Sequence, residues 1–347
     1  MALSRSLLAA IVFLIAATYP PATAQTIHYD SGYTMRNNTL GHYYKMVSFG
    51  NENKIREYTY WKGTGTNVSE FLNFRVIFPT NFNKKDTVTK YPLILMLHGA
   101  GESGRAWEGN FTYSPSDPQF DNNSTNTAHA GPSHLAAVMK SPTSTGAFNG
   151  IVIFPQVSYS GAWQNGWDGG NESDNMRMTI GIVEYFIDHY NVDRDRIAVH
   201  GLSNGAKGTW DAAAKRPDLF AAMLPMSGVG SNSDIMSDIL VTMPLWLFQG
   251  GTDTNPKPQA SKDLIELIKT KGGSPIYTVY PTLGHGTWTT AYAEPNFFPW
   301  ILAQNKKNIF VFGGVTELCL NGSIKLGFSD GFLAYQWTYN GADIPGA

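Results

Sequence analysis

The chain has 347 residues, a formal net charge of −2 and 15% charged side chains, against roughly 25% in an average soluble domain. That length holds one large domain or two ordinary ones around a substantial core. The near-neutral balance excludes the basic footprint of a nucleic-acid binder, and no nucleic-acid partner is expected.

The first segment, MALSRSLLAAIVFLIAATYPPATAQ, offers Arg5, an apolar run from Leu7 to Ala17, and Ala22-Thr23-Ala24. A positive start, a short apolar middle and an A-x-A end read as a secretory signal peptide over 1–24, cut after Ala24. An uncleaved anchor is the alternative; the short apolar run and Pro20-Pro21 weigh against it. No later segment is long and apolar enough to span a bilayer, so the mature protein is expected to be secreted, without a membrane span. Its surplus of Asn, Thr, Ser, Gly and aromatic residues suits neutral, polar ligands. Secretion invites disulfides, yet Cys319 is the single cysteine, so no internal disulfide can form and stability must come from the core. A CxxC pair and a multi-cysteine metal site are excluded, and neither HExxH nor an EF-hand loop occurs. No metal and no cofactor is expected.

Residues 25–70, rich in Tyr, Asn, Gly and Thr, read as irregular strands and loops. FLNFRVIFP (71–79) alternates as a strand should. YPLILMLHG (91–99) and GIVIFPQ (150–156) are continuous apolar runs, the signature of strands covered on both faces. MTIGIVEYFIDHYNV (178–192) has helical apolar spacing, and DRDRIAVHG (193–201) is the next buried strand. AKGTWDAAAKRP (206–217) reads as a helix, FAAMLPMSG (220–228) and MPLWLFQGG (243–251) as strands. SKDLIELIKTKG (261–272) is an amphipathic helix stopped by glycine. SPIYTVYP (274–281) is a further strand, and EPNFFPWILAQNK (294–306) a closing helix. Strands alternating with helices imply a mostly parallel central sheet with helices on both faces over 25–306.

From 307 the pattern changes to short alternating strands and turns, with Cys319 followed by Trp337. Residues 307–347 look like the opening half of an immunoglobulin-like β-sandwich. A sandwich needs about 100 residues to close, so a truncated module lying loosely against the main domain is expected.

In a parallel α/β sheet, functional residues collect on the loops leaving the carboxyl ends of strands. Gly201-Leu202-Ser203-Asn204-Gly205 stands between a strand and a helix, the context that turns G-x-S-x-G into a nucleophile elbow; an ordinary glycine turn is the alternative. LHGAGESG (97–104) is a glycine-rich turn in which the Ala100 N–H could meet a developing oxyanion together with the Asn204 N–H. A phosphate cradle is its rival, but the Walker lysine and G-x-G-x-x-G spacing are missing and Glu102 opposes an anion. His98 reads as structural. Asp253 follows a buried strand in FQGGTDTNPKP, where its carboxylate could fix a histidine tautomer. His285 lies between two glycines in TLGHGTWTTAY, with freedom to reach the serine. Singly, the aspartate and the histidine are ordinary loop residues. Jointly, Ser203, Asp253 and His285 follow the order nucleophile, acid, base, which belongs to α/β-hydrolases.

LHGAGESG, YNVDRDRIAVHGLSNGAKGTW and GHGTWTTAYAEPNFFPWILAQ resemble secreted bacterial esterases of the α/β-hydrolase superfamily. These include carbohydrate esterase family 1 and the feruloyl esterases, polyhydroxybutyrate depolymerase-like proteins, and the phospholipase/carboxylesterase group. The likeness spans about 70–305. It implies Ser203 as nucleophile, Asp253 as acid, His285 as base, and the Ala100 and Asn204 N–H groups as oxyanion donors. Lys207 stands where many relatives carry a small residue, and 25–70 matches no family motif.

Two-step acyl transfer on an ester substrate linked to a polysaccharide follows, with Trp163, Trp167 and Trp288 as candidate platforms for sugar rings or phenolic acids. Packing of those tryptophans within the loops is the alternative. A serine peptidase of the same fold would keep every motif. A non-catalytic carbohydrate-binding or adhesion protein would not need the three polar residues together. Oligomeric state is not legible.

Overall fold

The computed structural model describes residues 47–49, 53–64, 67–79, 82–83, 85–100, 148–157, 174–230, 237–314, 323–328, 338–339 and 342–343. The leader reading over 1–24, Cys319, Trp163, Trp167 and Trp337 lie outside them.

β1 (Val47–Phe49), β2 (Asn53–Thr64) and β3 (Asn67–Ile77) form an antiparallel run. Of the stretch 25–70, expected as irregular strands and loops, the described residues are strands, and the two longer ones are regular. β2 and β3 pair along most of their length, with one register shift between Lys62 and Gly63. Tyr58, Thr59, Tyr60 and Trp61 are strong strand formers, and glycines beside them disguised the hairpin.

The parallel part follows: β4 (Tyr91–Leu97), β5 (Ile151–Gln156), α1 (Asp174–His189), β6 (Val192–Leu202), α2 (Asn204–Lys215), β7 (Ala222–Met226), β8 (Trp246–Gly250), α3 (Pro258–Thr270) and β9 (Ile276–Tyr280). The nine-stranded sheet has the order β1-β2-β3-β5-β4-β6-β7-β8-β9. From β5 to β9 every neighbour is parallel. β5 lies on one side of β4 and β6 on the other, so the winding reverses between β4 and β6. A crevice opens at the carboxyl ends of such strands.

Side chains along β4 alternate between two cores. Leu93, Leu95 and Leu97 join Ile197, Val199, Phe186, Trp210 and Leu264 on the face covered by α1, α2 and α3. Ile94 and Met96 join Ala198, Leu202, Phe248, Tyr292 and Phe297 on the other. All seven residues of β4 are buried, which is why it reads as an unbroken apolar run; each buried leucine contributes about 2 kcal/mol.

The second face is covered by α4 (Trp288–Tyr292), where no helix was expected, and by α5 (Phe297–Ala303), which lies within the helix expected over 294–306. Pro295 disfavours helical backbone at Glu294 and so separates the two. Among the described residues no helix is long and apolar enough to cross a membrane.

The tail contributes two short antiparallel pairs: β10 (Phe310–Val311) with β11 (Leu326–Gly327), and β12 (Thr338–Tyr339) with β13 (Ala342–Asp343). Its first residues are not loosely placed. Gly313 N–H donates to Gly272 O at 2.7 Å. The ring of Phe312 covers Gly272, where an added Cβ would come within 3.1 Å of it. Gly272 has φ +95°, so the bare backbone that ends α3 is also a seat for an aromatic ring.

Candidate active site

Ser203 sits between β6 and α2 with φ 55° and ψ −116°. A side chain in this left-handed region costs about 1–3 kcal/mol and persists only where its surroundings enforce it. Here Ser203 N–H donates to Met226 O at 2.8 Å, and Ser203 O accepts Ala206 N–H at 3.0 Å. The flanking glycines make the turn possible. A Cβ at 201 would meet Gly205 O at 2.3 Å, and one at 205 would meet Leu97 O at 2.0 Å. The second glycine thus seats α2 against the end of β4.

Serine at a helix N-cap ordinarily turns its hydroxyl onto first-turn N–H groups. Ser203 makes no such bond. Its Oγ lies 2.8 Å from His285 Nε2. On the other side of the ring, His285 Nδ1 lies 2.9 Å from Asp253 Oδ2. The carboxylate only accepts, so Nδ1 carries the hydrogen and Nε2 presents a lone pair to the serine hydroxyl. Asp253 Oδ1 accepts Asn255 N–H at 2.9 Å. The aspartate side chain is 1% exposed and the histidine side chain 40%, so one anchors while the other faces the crevice.

The His285 loop is tied at both ends. Thr252 N–H donates to Leu283 O at 2.9 Å, and Thr287 N–H to His285 O at 3.0 Å. Thr287 Oγ1 is 2.8 Å from Ser227 Oγ, both residues being fully buried. Ser227, at the end of β7, has φ 50°, a second strained serine beside the elbow.

Ala100 and Asn204 occupy adjacent loops. Leu97 pairs in register with Gly201, and Ala100 and Asn204 each lie three residues beyond their member of that pair. Ala100 is exposed in a turn after β4, and Asn204 opens α2, where backbone N–H groups lack intrahelical acceptors. His98 is buried. Its Nε2 accepts Val157 N–H at 3.0 Å, so its Nδ1–H donates to Gly99 O at 2.6 Å, tying the ends of β4 and β5 together. Trp288 is half-buried against the second core, edge-on to His285 with ring centroids 6.0 Å apart.

Five residues that the sequence reading passed over also bear on the site: His200, Tyr292, Ser227, Thr287 and Gln249. His200 Nε2 accepts the Tyr292 hydroxyl and its Nδ1–H donates to Leu224 O. Burial pushes its pKa down to about 4, against the opposing pull of the Leu224 bond. Gln249 and His200 had a signal, a polar residue inside an apolar strand run, as in WLFQG and RIAVHGL. Ser227 and Thr287 had none.

A hydroxyl, an imidazole lone pair and a buried carboxylate in line can move a proton off the hydroxyl as it attacks an electrophilic carbonyl. Six parallel strands, helices on both faces and a strained serine between strand and helix define the α/β-hydrolase fold.

Comparison with known proteins agrees on the fold. The chain resembles the crystal structure of a thermostable esterase at 25% identity and a TM-score of 0.54, over 72% of this chain and 63% of that one. The model of the prolyl oligopeptidase family matches residues 156–242, a stretch that contains Ser203 and stops before Asp253 and His285. Acetylxylan esterase A of Emericella nidulans is 37% identical over 86 residues, 23% of this chain and 27% of that protein. Acetylxylan esterase A of Aspergillus awamori is 29% identical over 160 residues, 43% of this chain and 49% of that protein. The chain therefore spans from about a quarter to half the length of these fungal relatives; the bacterial part of the resemblance finds no counterpart in them.

Proposed function

We propose that this protein is a serine carboxylic ester hydrolase that removes acyl groups from polysaccharides, with acetylated xylan as its first candidate substrate. The observation that carries this reading is the N-cap serine that does not cap: the Ser203 hydroxyl is turned onto His285 Nε2 instead. His285 takes the proton as Ser203 Oγ attacks the ester carbonyl, and Asp253 stabilises the imidazolium. The Ala100 and Asn204 N–H groups receive the oxyanion. Collapse expels the alcohol, which takes the proton from His285, and leaves an acyl-serine. Water, deprotonated by His285, releases the acid and restores the serine.

The substrate class is supported by similarity to the acetylxylan esterases and by Trp288 edge-on to His285, with Trp163 and Trp167 as further candidates from the sequence. Export by the 1–24 leader places the enzyme where such polymers occur, and the sandwich-like 307–347 segment suits an extracellular modular protein.

A peptidase of the same fold is the second reading, favoured by the prolyl oligopeptidase match across the Ser203 segment. One panel separates the two. Wild-type protein should release acetate from acetylated xylan and hydrolyse p-nitrophenyl acetate, while leaving peptide p-nitroanilides intact. Ser203→Ala should lose at least ~1,000-fold in kcat and escape fluorophosphonate labelling. Peptide cleavage without ester cleavage would select the peptidase, and near-wild-type activity in Ser203→Ala would sink both.

A further inference from the structure

Gln249 is the penultimate residue of β8 and is fully buried, with Ser261 of α3 equally buried beside it. The Gln249 amide faces Asp253 Oδ2 at 3.3 Å, Gly250 O at 3.2 Å and Pro256 O at 3.3 Å. All three are acceptors. On the other side, Ser261 Oγ lies 2.6 Å from the remaining amide atom. An amide oxygen facing three acceptor oxygens would be repelled by each, so the nitrogen must face them, and the oxygen accepts the Ser261 hydroxyl. The amide has one permissible orientation.

We infer that Gln249, held by Ser261, is a positioning residue for Asp253: it donates to the same carboxylate oxygen that accepts His285 Nδ1–H and so sets the direction and strength of that bond. Asn255 N–H holds Asp253 Oδ1; a planar carboxylate turns as a unit, and Gln249 supplies the second restraint, applied directly at the oxygen that meets the imidazole. An apolar side chain could fill the same space, but an amide buried in an apolar strand must have its hydrogen bonds met. Three of the four groups that meet them here belong to the turn carrying Asp253, and the fourth is Ser261 of α3.

The kinetic consequence rests on the esterase reading; the hydrogen-bond consequence does not. The test therefore has two arms, on wild type, Gln249→Met, Gln249→Glu and Ser261→Ala. The first arm is the downfield proton resonance of His285 Nδ1–H in resting protein, identified by its loss in His285→Gln. Both Gln249 substitutions should displace or broaden it, and Ser261→Ala, by freeing the amide to turn, should do so to a smaller degree. The second arm is p-nitrophenyl acetate hydrolysis, in which Gln249→Met should lose ~10-fold or more in kcat with KM within about twofold of wild type. Ser261→Ala keeps the inference testable should the Gln249 variants fail to fold. A fall in melting temperature with the resonance and kcat unmoved would mean that Gln249 only packs, and would overturn the inference. Wild-type protein that shows the resonance and its Gln249 dependence but hydrolyses no ester would support the inference while removing the esterase reading.

Discussion

His200 and Tyr292 share a buried hydrogen bond of 2.7 Å, the phenol donating to Nε2 while Nδ1–H donates to Leu224 O at 2.6 Å. The strand that ends at Ser203 is thereby pinned to the helix that follows His285, through an imidazole that must stay neutral. Its folded pKa of about 4 lies below the ordinary 6.5. As pH falls from 6.5 towards 4 the unfolded chain binds a proton that the folded chain refuses. Stability present above 6.5 is therefore lost across that window, by up to about 3 kcal/mol, and the loss levels off below it. His200→Gln should be less stable than wild type at neutral pH yet lose less between pH ~6.5 and ~4. Urea midpoints across that range measure the difference, and parallel pH profiles for the two proteins would refute it.

Thr287→Val keeps the shape of the threonine and removes the hydroxyl that meets Ser227. The buried Ser227 Oγ is then left without that partner, at about 1–2 kcal/mol. Valine keeps the backbone bond to His285 O but not the side-chain tie that holds the end of the His285 loop to Ser227, so kcat for p-nitrophenyl acetate should fall while KM holds. Urea unfolding and steady-state kinetics on the same preparation report the two effects.

Ser203→Gly should be inactive yet more stable than wild type by about 1 kcal/mol, because glycine adopts φ 55° without the penalty a side chain carries there. Ser203→Ala should be equally inactive without that gain. Calorimetric melting of the three proteins compares them; equal midpoints for glycine and serine would show that the elbow stores no strain.

Phe312→Ala should free the tail from its seat on Gly272 and cut the stacking of Lys325 over the ring, 4.2 Å from its centroid. Cleavage between 308 and 327 by a trace protease should accelerate by ~10-fold or more, with ester hydrolysis unchanged. Equal cleavage rates would place the anchor elsewhere.

Much of this fold is written in local pattern. A strand covered on both faces is apolar where it is covered, so β4, most of β5 and the Ile197–Val199 stretch of β6 stand out from residue types alone. The elbow is legible for a related reason: only glycine fits at 201 and 205, because the turn folds onto its own backbone and onto Leu97. The β2–β3 hairpin was not legible, since its strands are mixed in character and its glycines read as loop. α4 was not legible, because its five residues are too few to show a helical period beside the glycines of the His285 loop. The first contact of the tail depends on Phe312 meeting Gly272, a pairing of distant residues that no local period records.

The order of Ser203, Asp253 and His285 along the chain, and the strand before each of them, follow from sequence because periodicity and turn chemistry act over a few residues. What surrounds them was decided only in three dimensions. Ser261 against Gln249, Thr287 against Ser227 and Tyr292 against His200 join groups from different elements, and each bond exists because the fold brings those elements side by side. A buried polar side chain must find its partner wherever packing has placed one, and that placement is a property of the whole fold rather than of its neighbours in the chain.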